Sequence, residues 1–305
     1  MTQPDITRKS WLMVATLGIV WGSTFMVIEL ALQGITPFWL AAARISFASV
    51  LLVGIWAARR FPLFAEPSAR GWRMIAVVGA LSSAVPFILL SWGQQYVTSG
   101  FAGVSMAAVA LLVLPLAHFL VPGERLNLRK VIGFMLGFFG VVILIGSTAF
   151  ESSGADLEVY GRLACLGAAA CYALSSVLVR RLPPVDPIGL ATVLLIVGAA
   201  IVVPVAWAVE GPPPMPSTET LAILAVLGLI PTAAANLLRV LVIRSAGPTF
   251  MSLTNYQVPV WSVVLGAMIL GEPLPASLLW ALLFILSGVG ISQYGALKRL
   301  FLGDA

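Results

Sequence analysis

An all-α integral membrane protein of ten transmembrane helices, arranged as two inverted five-helix repeats, is the fold class the sequence predicts. Three observations predict it. Of the 305 residues, 60% are hydrophobic and only 10% charged, against about 25% charge in soluble domains. Ten windows are long and apolar enough to cross a bilayer, which takes roughly 20 residues. Finally, short stretches recur at a fixed offset between the two halves of the chain, as internal repeats do.

The spans run in order as follows. Span 1 (11–32) follows Arg8 and Lys9 and looks at first like a signal peptide. Its apolar run is too long for a signal core and no small-residue cleavage site follows, so it is read as an uncleaved span. Span 2 (37–58) carries Arg44. Span 3 (72–92) carries Ser82, Ser83 and then Pro86. Span 4 (98–121) ends near His118, the only histidine, read as a cap or hydrogen-bonding group. Span 5 (129–147) is apolar and contains "GFMLG" (133–137), read as tight packing within one protomer. Span 6 (160–181) holds both cysteines, Cys165 and Cys171. Six residues apart, they lie on different faces, and no disulfide is expected between them. Span 7 (187–209) is almost pure hydrocarbon, "LATVLLIVGAAIVV". Span 8 (219–243) carries Pro231, Thr232 and Asn236. Span 9 (247–270) carries Thr254, Asn255, Tyr256 and Gln257, with Pro259 behind them. Span 10 (276–297) is again apolar.

Basic residues set the orientation. With the N-terminus inside and ten crossings, the inner side holds Arg8, Lys9, Arg59, Arg60, Arg70, Arg73, Arg125, Arg129, Lys130, Arg180, Arg181, Arg239, Arg244, Lys298 and Arg299. That leaves Arg162 outside and Arg44 within a span. The outer loops carry Glu151, Asp156, Glu158, Glu210, Glu219 and Glu272. This is a positive-inside pattern that puts both termini in the cytoplasm. The net charge of +5 is therefore a topology signal, and no nucleic-acid partner is expected.

"PGERL" (122–126) ends span 4 and "LGEPL" (270–274) ends span 9, an offset of 148. The same offset lays Gly140 on Gly288 and Ile143 on Ile291. At offset 149, "VVGALSSA" (77–84) lies on "VLGLIPTA" (226–233). The expected organisation is a first repeat at 1–150, a connecting outer loop at 151–159 and a second repeat at 160–305. Each repeat has an odd number of spans, so the second is inverted, a common transporter design with the site between the halves. "WGSTF" (21–25), the arginine of "AAARISF" (41–47) and the paired GER/GEP turns resemble the ten-helix EamA family of the drug/metabolite transporter superfamily. Within it the chain is similar to amino-acid exporters, including aromatic ones. The resemblance covers the whole chain. It implies cytoplasmic termini and a central cavity reached alternately from each side.

The residues point to the same cavity. Mid-depth polarity is confined to spans 1, 3, 6, 8 and 9, and span 4 joins them as the repeat mate of span 9. Polar groups at that depth are tolerated where they line a water-filled cavity. The expected substrate-binding residues are Trp21, Ser23, Thr24, Ser82, Ser83, Ala107, Ala108, Tyr172, Ser175, Ser176, Asn236, Asn255, Tyr256 and Pro259. Asn255 and Tyr256 share a face with Ser252 and Pro259, and Gln257 lies about 200° round from Asn255. Ala107 and Ala108 are their repeat mates and would leave room for a ligand. The blander alternative is that the hydroxyls bond their own backbone or hold helices together. Glu29 and Arg44, near the outer ends of spans 1 and 2, are read as an ion pair or an outer gate, since a lone charge there is costly.

With no charge foreseen at mid-depth, a neutral or zwitterionic solute is expected. The aromatic rings of Trp21, Tyr172, Tyr256 and Trp261 offer flat surfaces to an apolar side chain. The function read from these residues and the resemblance is export of amino acids, hydrophobic or aromatic ones foremost, or of similar small metabolites, by alternating access across the inner membrane. A drug exporter, an importer of another small neutral solute and a channel-like facilitator are the alternatives. An intramembrane enzyme would need a nucleophile–base pair or metal ligands at depth, and the spans show neither. The expected partners are a small-molecule substrate and the lipid bilayer. No cofactor and no metal are expected, and either a monomer or a dimer fits.

Overall fold

A computed structural model of the chain describes residues 6–64, 69–93, 96–97, 99–146, 154, 156–270 and 277–302. The described residues are almost entirely helical and form the ten-span bundle. Helix α1 is Arg8–Leu32 and α2 is Pro37–Ala58. Helix α3 runs as Ala69–Gly79, a π-helical turn Ala80–Ala84, and Val85–Gly93. Next come α4 (Ser99–Leu120), α5 (Leu128–Ile145), α6 (Glu158–Arg181) and α7 (Pro187–Glu210). Helix α8 repeats the pattern of α3, with Thr218–Leu227, a π-helical turn Gly228–Ala234, and Ala235–Ala246. Helix α9 is Pro248–Met251, Thr254–Leu265 and a π-helical end Gly266–Leu270. Helix α10 is Leu278–Ser292, and a short α11 (Tyr294–Leu302) follows. Six of these segments are long and apolar enough to cross a membrane. Ser105–Leu120 and Leu278–Ser292 are shorter apolar helices, and α1 and α9 complete the ten. The lone bridge between Phe64 and Val185 is the only extended pairing among the described residues.

Local chemistry sets the helix ends. Thr7 caps α1 through Ser10, Asn127 caps α5 through the Lys130 N–H, and Asp186 caps α7 through the Gly189 N–H. Each satisfies a donor that a helix start leaves open. At the GER turn Glu124 is buried, 3.6 Å from the Lys130 ammonium. The equivalent GEP turn lies outside the described residues, as do Ser153 and Ser68.

Two helix pairs form the frame. Helices α5 and α10 meet through glycine. A β-carbon on Gly133 would clash with the Gly288 carbonyl, and one on Gly140 would sit 2.9 Å from the Ala281 carbonyl oxygen. The GxxxG stretch thus packs inside one chain, as close backbone approach in membranes favours. Helices α2 and α7 are held at both ends. At one end Arg59 pairs with Asp186 at 3.0 Å. At the other, the Glu210 carboxylate accepts from the Thr36 hydroxyl and from the Phe38 and Trp39 N–H groups at the start of α2. Those open N–H groups favour an anion.

Candidate functional site

The central polar cluster is built on α8. Pro231 has no N–H for the Leu227 carbonyl one turn back, and the Thr232 hydroxyl donates to that oxygen at 2.8 Å. The Pro231 carbonyl accepts the Trp21 indole N–H from α1 at 3.1 Å. Thr232 also accepts from Nε of Arg44, on α2, at 3.0 Å. The Arg44 guanidinium lies over the Phe87 ring of α3, 5.2 Å from its centre. Farther along α8, Asn236 donates to the Ala191 carbonyl of α7 at 3.4 Å. Nη2 of Arg239 donates to the Ser175 and Ser176 hydroxyls of α6 at 2.8 and 3.2 Å. Thr232, Asn236 and Arg239 are four and then three residues apart, so they share one helix face. The half-buried Tyr172 ring lies within Coulombic range of both arginines.

This geometry corrects the expectation of an uncharged mid-depth. Arg239 is not an inner-loop residue. It lies nearly two turns before the end of α8 and is 7% exposed. Arg44 is 6% exposed. Its described contacts are Thr232 and Phe87, and the Glu29 side chain, expected as its ion-pair partner, lies outside the described residues. The sequence signal for Arg239 was its place one and two turns beyond Asn236 and Thr232. A hydropathy window that closed span 8 early hid it. Phe87 carried no signal, because one more aromatic in an apolar span is unremarkable in composition.

Of the expected site residues, the structure brings Trp21, Tyr172, Ser175, Ser176 and Asn236 together with the two arginines. Others it places elsewhere. Ser23 and Thr24 both donate to the Val20 carbonyl of their own helix, at 2.9 and 2.8 Å. Ser82 and Ser83 lie in the α3 π-helical turn and bond each other at 3.3 Å. Ala107 is fully buried in the core and Ala108 half-buried.

The polar run of α9 serves a helix break rather than one cavity wall. Residues 252–253 interrupt the helix. There Ser252 donates to the Thr249 carbonyl, and Nδ2 of Asn255 donates to the Ser252 carbonyl at 3.0 Å. Tyr256, 1% exposed, turns to α5 and donates to the Phe134 carbonyl at 2.8 Å. Its ring fills the space over Gly137, where a β-carbon would come within 2.8 Å. Gln257 packs on α1, where a β-carbon on Gly18 would come 2.7 Å from its side-chain oxygen. Pro259 is half-buried. His118 accepts the Leu126 N–H on Nδ1 at 3.2 Å, the hydrogen-bonding role expected for it. Cys165 and Cys171 are free thiols.

Residues 8–146 and 159–293 each match the EamA-like transporter family. The chain belongs to that family. Among its relatives in the EamA-like group, the uncharacterized transporter YvbV of Bacillus subtilis is 25% identical over 291 residues, covering 95% of this chain and 92% of that one. The uncharacterized inner membrane transporter YedA of Escherichia coli is 27% identical over 262 residues, 85% of this chain and 82% of that one. A probable terminal-alkyne amino-acid exporter of Streptantibioticus cattleyicolor is 32% identical over 143 residues, 46% of this chain and 45% of that one. A solved crystal structure superposes with a TM-score of 0.80 at 22% identity, covering 95% of this chain and 98% of that one. This shows the same fold for an EamA-like transporter.

Proposed function

We propose that this EamA-like transporter exports amino acids, hydrophobic or aromatic ones foremost, or closely similar small metabolites across the inner membrane. The observation that carries the reading is the convergence of Trp21, Arg44, Phe87, Tyr172, Thr232 and Arg239 from five helices on one polar and aromatic centre. Polar residues at that depth, facing the interior, are the usual mark of a substrate path. The exporter description of the Streptantibioticus relative points the same way.

In this reading the repeats 1–150 and 160–305 rock about the centre, and both termini are cytoplasmic. The glycine-packed α5–α10 pair and the clamped α2–α7 pair move as units. The Arg59–Asp186 contact at one end and the Glu210 contacts at the other are broken or remade as access alternates.

Proteoliposomes loaded with labelled phenylalanine or leucine test it. The expected result is saturable efflux and counterflow, followed with and without a pH gradient. Flux that never saturates would mark a channel instead. For the orientation, a cysteine placed at Ser153 is expected to label from outside and one at Ser68 only from inside.

A further inference from the structure

The two arginines at the centre are cations without anions. Arg44 uses Nε on Thr232, and its terminal Nη1 and Nη2 donate to no described acceptor. Arg239 uses Nη2 on Ser175 and Ser176, and its Nε and Nη1 donate to none. Both side chains are more than nine-tenths buried. The three ion pairs among the described residues are Arg59–Asp186, Lys130–Glu124 and Arg162–Glu158. All three lie at helix ends, and none involves Arg44 or Arg239. What the protein supplies at the centre is neutral: three hydroxyls, a phenol and an aromatic face.

Taking a cation out of water costs several kcal/mol even after relaxation. Hydroxyl acceptors offset only part of that cost. Two cations flanking one phenol make a positive potential in a poorly screened place, where a unit charge at contact distance is worth about 4 kcal/mol. A ligand carboxylate is drawn in, and a guanidinium offers it a planar fork of donors. A ligand ammonium is opposed. The aromatic surfaces of Phe87, Tyr172 and Trp21 receive the apolar remainder.

We propose that this centre is a carboxylate receptor, whose preferred substrates are organic acids of net negative charge, including amino-acid derivatives with a masked amino group. The proposal rests on the reading that this centre holds the substrate, and it narrows the charge of what is held there. A zwitterionic amino acid is accepted through its carboxylate at the cost of bringing its ammonium close to the second arginine.

Three compounds with one side chain decide it: N-acetylphenylalanine, phenylalanine and phenylalaninamide. Binding to the purified full-length protein is followed by tryptophan fluorescence and by thermal shift, with the leucine series in parallel. The expected order is acetylated acid first, free amino acid second, amide last, with about tenfold or more between first and last. Arg44→Gln and Arg239→Gln should each compress that order and leave the amide within about twofold of its starting affinity. Should either variant fail to fold, the wild-type order still decides. An amide that binds as well as the acid, or no saturable binding in either series, overturns the proposal. Acid-selective binding with no flux in proteoliposomes supports the receptor and overturns the transport reading. Flux that ignores the carboxylate supports transport and overturns the receptor.

Discussion

Residues 80–84 in α3 and 228–234 in α8 occupy matching places in the two halves, and both wind as π-helical turns. Each begins at a glycine that lets a neighbouring helix come close. A β-carbon on Gly79 would sit 2.7 Å from Val197 Cβ and 3.3 Å from the Leu194 carbonyl oxygen of α7. One on Gly228 would sit 2.5 Å from Phe47 Cβ and 3.0 Å from the Arg44 carbonyl oxygen of α2. Helix α7 therefore crosses the first turn as α2 crosses the second, and Leu194 stands where Arg44 stands. The chemistry differs completely. Ser82 and Ser83 bond each other, while Thr232 receives a guanidinium and the Pro231 carbonyl receives an indole N–H. A duplicated backbone gives two equivalent platforms, and single side chains decide which of them meets a ligand.

The largest expected effect comes from filling the crossings. Gly228→Ala and Gly79→Ala should each lower stability by about 1–3 kcal/mol, as overpacking does, seen as earlier thermal unfolding. Only Gly228→Ala should also weaken substrate affinity, because it pushes on the backbone of Arg44. Equal effects of both on affinity would mean that the halves share the binding role.

Next in size is the pair of equivalent positions. Arg44→Gln should reduce apparent affinity for phenylalanine by about tenfold, the scale of a charge-assisted hydrogen bond. Leu194→Met, which conserves volume, should cost under about 1.5 kcal/mol of stability and leave transport as it was. Counterflow in proteoliposomes separates the two.

Smaller again is Trp21→Phe, which removes the donor to the Pro231 carbonyl. A loss of about 0.5–1.5 kcal/mol is expected in thermal unfolding. The smallest effect is expected at Ser83→Ala, within about 0.5 kcal/mol, since Ser82 keeps its backbone surroundings and only a mutual hydroxyl contact is lost. A large transport defect at Ser83 would make the first turn an active partner and sharpen the comparison in the opposite direction.

The span order and the repeat were legible before any coordinates. Hydropathy is a sum over neighbours in the chain, so ten apolar windows read directly as helices. The alignment of "VVGALSSA" with "VLGLIPTA" superimposes what became the two π-helical turns. Five of the site residues, Trp21, Tyr172, Ser175, Ser176 and Asn236, were legible too, as polar or amphipathic groups at mid-depth.

What the sequence left open is how each helix is turned about its own axis. In water an apolar stripe tells which face goes inward. In lipid the outer face is as apolar as the packed one, so the pattern does not mark it. A π-helical turn shifts the phase of every residue beyond it, and α3, α8 and α9 each contain one. Tyr256 and Asn255 were thus rightly seen as a polar anomaly, but only packing could turn one to the Phe134 carbonyl and the other to its own backbone. Arg239 was visible as a charge, but only the full length of α8 carried it inside, to the hydroxyls of Ser175 and Ser176. Composition determines that a segment is in the membrane. The helix rotations and crossings of the tertiary structure determine what it faces there.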